Sequence, residues 1–209
     1  MGRSSDLETE ELLTRIRGGD RSAAEELFAR HRPRLRRMIM ARLDERLASR
    51  VDPSDVVQDT MAIACRKLPE YLEGARFPFY PWLRQIAWDR LVDIHRQHLH
   101  ANKRTVRQEV SLGLSEASAM QLADRLASSN SGPTAHLLRE ELRARVRSLL
   151  ARLADGDREV LVLKHLEELS NSECAAVLGI SVEAVKKRYL RALGRVRALM
   201  DDERSSQAD

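Results

Sequence analysis

Apolar residues recur along this chain at three- and four-residue intervals, the spacing that gathers them on one face of a helix. Leu12, Leu13 and Ile16 form such a face in a helix predicted from Leu7 to Ile16, which Gly18-Gly19 ends. Ser22 and Glu25 stand at capping-box spacing and open a second helix to about His31. Pro33 suits a new first turn, after which Leu35, Met38, Ile39 and Leu43 keep the period. Asp52-Pro53 is a further start signal, a capping acid before a proline. Val56, Val57, Thr60, Ile63, Ala64 and Leu68 then predict an amphipathic helix from Asp55 to Leu68. Phe77-Pro-Phe-Tyr-Pro81 reads as an aromatic loop. A helix from Trp82 to about Leu99 follows, with Leu83, Ile86, Leu91 and Ile94 inward.

The period fades between about 101 and 134. Ser128-Ser-Asn-Ser-Gly-Pro133 has the composition of a linker, with room for some helix between Ser115 and Leu126. A second helical block begins with the periodic stretch Leu137 to Leu153. Asp157 is expected to cap a helix to about Leu166, and Ser170 with Glu173 forms another capping box. No segment alternates as a strand should, and no internal repeat is evident. Aromatics are only 4% of the chain, which also favours helices. The expected architecture is all-α: two small helical domains, 7–100 and 135–200, joined by a linker at 101–134.

Within the second block, Ser170 to Met200 has the order of a helix-turn-helix. Ala175 is small enough for two helices to cross, Gly179 permits a left-handed turn, Ser181 caps the second helix and Val185 plugs the crossing. Val182, Val185, Tyr189, Leu193 and Val196 are expected to form its inner stripe. Lys186, Lys187, Arg188 and Arg191 project elsewhere and can reach DNA phosphates and base edges. An ordinary helical hairpin with a solvated basic face would share the cations but not the cap, turn glycine and small residue together.

Charge is segregated. The formal net charge is only +4, yet Arg30–Arg50 holds eight arginines against Asp44 and Glu45. Ser181–Arg197 holds six Lys/Arg against Glu183, and Asp52–Asp59 holds three aspartates and no base. That suits several distinct binding faces. Cys65 and Cys174 are expected as small buried residues, not as a redox or metal pair. His95, His98 and His100 lack metal-ligand spacing and read as a solvated helix end. No P-loop, HExxH, nucleophile elbow or convincing carboxylate constellation occurs, so neither catalysis nor a cofactor is expected. No apolar run approaches the ~18 residues of a membrane span. The polar start lacks a signal-peptide core, so a cytoplasmic location without membrane insertion is expected.

Four segments, in order, resemble the extracytoplasmic-function sigma factors of bacteria. They are Gly19-Asp-Arg-Ser-Ala-Ala-Glu-Glu-Leu-Phe28 with His31-Arg-Pro-Arg-Leu35; Asp52-Pro-Ser-Asp-Val-Val-Gln-Asp-Thr-Met61; Phe79-Tyr-Pro-Trp-Leu-Arg-Gln-Ile-Ala87 with Asp93; and Asp157-Arg-Glu-Val-Leu161 through Leu178-Gly-Ile-Ser181 to Val185-Lys186. The resemblance implies a subunit that binds bacterial core RNA polymerase and directs initiation at promoter DNA. It implies polymerase contact through Asp52, Asp55, Val56, Gln58 and Asp59, an acidic rim around a small apolar patch of Val56 and Val57. It implies minus-ten contact through Arg84, Trp88, Asp89, Arg90 and Arg96, with Trp82 in the core. Asp89 departs from the asparagine that many members carry. It implies minus-thirty-five contact through Ser181, Glu183, Ala184, Lys186, Lys187, Arg188 and Arg191, the cations on phosphates and Glu183 and Ala184 on bases. An anti-sigma factor is a further partner the family admits. The rival reading is a free-standing helix-turn-helix regulator that needs no polymerase. It accounts for residues 170–200 but not for the Asp52–Met61 segment.

Overall fold

Residues 2–43, 47, 50–74, 77–98, 116–128, 148, 150 and 152–205 are described by the structure, a computed structural model. Among them are eight helices and no strand: α1 (Gly2–Arg17), α2 (Arg21–Arg42), α3 (Pro53–Gly74), α4 (Phe79–His98), α5 (Glu116–Ser128), α6 (Asp155–His165), α7 (Asn171–Leu178) and α8 (Val182–Ser205). The chain divides into two units, Met1–Gly113 and Leu114–Asp209.

In the first unit α2 is the central helix, with α1, α3 and α4 packed against it. Leu27, Leu35, Met38, Ile39, Val56, Val57, Ala64, Leu83, Ala87 and Leu91 fill the core between them. Full burial of each large aliphatic side chain contributes about 1.5–3 kcal/mol, which is what holds four short helices together. His31 is buried beside Phe79 and Tyr80 and meets the Thr9 hydroxyl at 3.2 Å, tying α1 to the aromatic core.

Two starts differ from the sequence expectation. Asp20, not Ser22, caps α2: its Oδ1 accepts from the backbone N–H of Ser22 (2.9 Å) and Ala23 (3.3 Å), and the Ser22 hydroxyl donates to it as well. Pro33 does not restart a helix but lies inside α2. It stands on the exposed face together with Ala29, whose carbonyl loses the proline's missing N–H. Burial of Phe28, His31 and Leu35 around it carries the helix through.

The aromatic loop is shorter than expected. Phe79 and Tyr80 are buried and already belong to α4, with Pro81 in the first turn, where an N–H has no helical partner anyway. The Tyr71 hydroxyl donates to the Phe77 carbonyl at 2.9 Å and closes the turn.

In the second unit α6 packs on α8, α7 on α8, and α5 on α6. Residues 116–128, inside the span assigned to a linker, are therefore helical and part of this unit. Leu122 and Leu126 are buried, and Arg125 donates to the His165 carbonyl and pairs with Glu168 at 3.0 Å. Asp157 does not cap α6. Ala154 is the capping residue, without a side-chain bond, and Asp157 is one of the most buried polar residues of the unit. Most of the expected 137–153 helix lies outside the described residues; Leu150 and Leu153 are buried. Cys174 is buried as expected, whereas Cys65 is exposed on α3. No described helix is long and apolar enough to cross a membrane.

Candidate nucleic-acid and partner interfaces

The first surface is the start of α3. Asp52 Oδ1 accepts from the Ser54 N–H at 2.7 Å, so the carboxylate serves as the cap its position predicts. The Ser54 N–H and hydroxyl, followed by the positive charge of Arg36, hold its pKa below the usual aspartate range. Asp55, Gln58 and Asp59 are exposed one turn apart. Val56 and Val57 are not part of that surface. Each is 1% exposed, inside the core. The same three- and four-residue spacing that made this helix legible turns both valines toward α2, so the rim is purely polar.

The second surface is α4. Arg90 reaches across to α3 and pairs with Asp59, with Nη2 at 2.7 Å and Nε at 3.1 Å from the same Oδ2. A residue expected on polymerase and one expected on DNA thus meet in a single, half-exposed ion pair. Trp88 is half-buried, with the guanidinium groups of Arg42 and Arg84 over its ring at 5.7 and 5.6 Å. Arg84 itself is buried against the indole and is not an exposed cation of this surface. Asp89 is exposed and accepts from Gln85 Nε2 at 3.0 Å. Arg96 is exposed and lies 3.8 Å from Asp93. Trp82 packs on Tyr71 and Phe79, in the core as expected. His95 is half-buried, and His100 lies outside the described residues. No described group of three His, Cys, Asp or Glu could hold a metal ion.

The third surface is the helix-turn-helix. The Ser170 and Glu173 capping box is complete: Ser170 Oγ accepts from Glu173 N at 3.2 Å, and Glu173 accepts from Ser170 N at 2.8 Å. Gly179 is left-handed, at φ 64°, and ends α7. Ser181 Oγ accepts from Ala184 N at 3.1 Å and caps α8. Val185 is fully buried at the crossing, as its spacing predicts. The inner stripe is narrower than expected. Val185, Ala192 and Val196 are buried and Tyr189 and Leu193 half-buried, but Val182, in the opening turn, is 39% exposed. Tyr189 meets His165 Nε2 at 3.1 Å, where burial, then Arg125 and Lys164, push the imidazole pKa down.

Not all the cations project freely. Lys187 is exposed, while Lys186 pairs with Glu183 at 2.7 Å. Arg188 lies along Gly156, so closely that a Cβ there would sit 3.3 Å from its Nη1. Arg191 turns to Asp157 at 2.7 Å, joined by Arg195 at 2.5 Å. Sequence reasoning missed Asp157, Arg195, Arg36 and Arg42. The i, i+4 spacing of Arg191 and Arg195 was a signal for a shared partner on another helix; nothing local names Asp157 as that partner.

Two all-α units, the second carrying a capped helix-turn-helix with a basic second helix, are the build of a DNA-binding transcription factor. Comparison with known proteins narrows this. Residues 27–100 match the family model for sigma-70 region 2, and residues 143–196 the model for sigma-70 region 4. The chain is 37% identical over 150 residues to the RNA polymerase sigma factor CnrH of Cupriavidus metallidurans, covering 72% of this chain and 74% of that protein. It is 30% identical over 190 residues to the RNA polymerase sigma factor CarQ of Myxococcus xanthus, covering 91% and 96%. The ECF RNA polymerase sigma factor SigD of Mycobacterium tuberculosis is 28% identical over 86% of this chain and 77% of its own. The solved structure of CnrH in complex with the cytosolic domain of CnrY aligns with 95% of this chain and 97% of that one, at a TM-score of 0.50 and 28% identity. The chain belongs to the sigma-70 family, as an extracytoplasmic-function sigma factor, and directs transcription initiation with core RNA polymerase on promoter DNA.

Proposed function

We propose that the three surfaces divide the work of initiation. Residues 7–100 dock on core polymerase and read the minus-ten element, residues 135–200 hold the minus-thirty-five duplex, and the chain between tethers them. Asp52, Asp55, Gln58 and Asp59 form the acidic docking edge, suited to a basic partner helix. Val56 supports that edge from the core. Trp88, flanked by Arg84 and Arg42, offers a stacking face for an unpaired base, with Arg90 and Arg96 for phosphates and Asp89 as an acceptor. Ser181, Glu183, Ala184, Lys186, Lys187, Arg188 and Arg191 face duplex DNA from α8. The chain catalyses nothing itself and works in the cytoplasm. CnrH is known in complex with the cytosolic domain of CnrY; a comparable anti-sigma partner for this chain is part of the proposal.

The observation that carries this reading is the Asp59–Arg90 pair, which sets the acidic edge and the basic, tryptophan-bearing edge side by side on one unit. The test is run-off transcription with bacterial core polymerase and a library of genomic promoter fragments. Discrete starts should require the protein and vanish in an Asp55→Arg/Asp59→Arg variant that still binds duplex DNA. Starts that persist in that variant would remove the docking assignment. Clean DNA binding with no protein-dependent start on any fragment would favour a free-standing regulator.

A further inference from the structure

Around the first turn of α6 the structure gathers four arginines, only one of them from α6 itself. Arg158 pairs with Asp155 at 2.7 Å. Arg188 lies over Gly156. Arg191 and Arg195, one turn apart on α8, share the carboxylate of Asp157. That carboxylate is 1% exposed, whereas the two arginines remain 56% and 51% exposed. One buried anion therefore fixes two cations by their inner N–H groups and neutralises only one. The guanidinium edges left outside keep donors and net charge toward solvent. Arg188, Arg191 and Arg195 also lie on one stripe of α8, roughly 10 Å long at 1.5 Å per residue. Charges on one DNA strand recur about every 3.4 Å along the axis, so such a stripe can meet more than one phosphate.

We propose that Arg195, held with Arg191 by the positioning residue Asp157, is a phosphate contact for duplex DNA, extending the basic surface of α8 along its second half. Fixing both forks in the free protein removes rotamer entropy that each would otherwise lose on binding. This rests on the reading of α8 as a DNA-facing helix but not on the polymerase-docking assignment.

The test is equilibrium binding of the full-length chain to a mixed-sequence duplex across a salt series. Each phosphate contact contributes about 0.9 to the slope of log K against log salt. Arg195→Gln and Arg191→Gln should each lower the slope by about that amount, and Arg195→Lys, which keeps the charge, should restore it. Arg197→Gln, on the opposite side of α8, should leave it unchanged. Asp157→Asn should keep the slope and weaken binding. An unchanged slope in Arg195→Gln with a lowered melting temperature would make the cluster a purely structural clasp. Equal loss in Arg197→Gln, or no duplex binding by the wild-type chain at low salt, would overturn the phosphate assignment. Tighter binding by Asp157→Asn would make that carboxylate a competitor of DNA and overturn its positioning role. None of these readouts involves polymerase, so loss of run-off activity and loss of the salt signature separate the two proposals.

Discussion

Asp20 ties an acid response to one cap. The Ser22 hydroxyl, then Arg15, then the Ala23 N–H hold its carboxyl down at about 2, against an ordinary 3.8. A pKa depressed on folding contributes stability that is complete above the unfolded value and lost as pH falls through the folded one. Asp20 therefore adds to the acid sensitivity of the first unit between about pH 4 and 2. Asn keeps a capping oxygen without the titration, so Asp20→Asn should flatten the stability–pH curve in that window; an unaltered curve would show the carboxylate titrating as in the unfolded chain. Gly179 is constrained differently. Its φ of 64° is one that an L side chain enters at about 1–2 kcal/mol. Gly179→Ala should destabilise the second unit by about that much in thermal unfolding, with Asn losing less. Equal melting of wild type and Ala would show that the turn relaxes to another conformation. Roles of this local kind were readable before the fold: Asp52, Ser170, Gly179 and Ser181 bond to backbone within a few residues. The roles of Arg191 and Asp157 were not, because each is set by a side chain on another helix.

At the scale of elements, apolar period and caps located α7, α8 and the start of α3 well, ended α3 at Leu68 where it runs through Pro69 to Gly74, and misjudged how α2 and α4 begin. Pro33 looked like a boundary because a proline costs a backbone hydrogen bond; with the lost bond on the exposed face, buried neighbours outweigh that cost. Phe79 and Tyr80 looked like loop because prolines flank them, yet Pro81 falls where a helix needs no donor. The α7 capping box is the element-scale device most open to test. Ser170→Ala should cost about 1 kcal/mol and speed amide exchange in the first turn of α7 roughly fivefold. Unchanged exchange there would mean the Glu173 half of the box suffices. Gly156 shows a dependence between elements: the absence of a Cβ gives Arg188 its place, so Gly156→Ala should displace that guanidinium and weaken duplex binding without unfolding α6.

At the scale of the molecule, the proposed division of labour calls for two units joined in one chain. Tethering two weak contacts raises the effective concentration of the second, a gain of about 10²–10⁴ in overall affinity. Residues 1–113 and 114–209 made as separate, individually folded pieces should together support initiation far less well than the intact chain at equal micromolar concentration. Full activity from the mixed pieces would show that polymerase holds each unit strongly enough by itself. The second piece must begin at or before Leu114, since α5 packs on α6 through Arg125 and buries Leu122 and Leu126.

The amino-acid order by itself determined the helical class, the helix-turn-helix, its caps and the segregation of acidic and basic segments. All of these rest on interactions within one turn or on periodic placement along one helix, and such signals survive in a linear string. Only the tertiary structure decided that Arg90 is held by Asp59, that Trp88 lies under two guanidiniums and that Asp157 anchors Arg191 and Arg195. Charge and apolarity are written in each residue, but whether a charge is spent on a neighbour or left for a partner depends on which helices meet, and that is a property of packing.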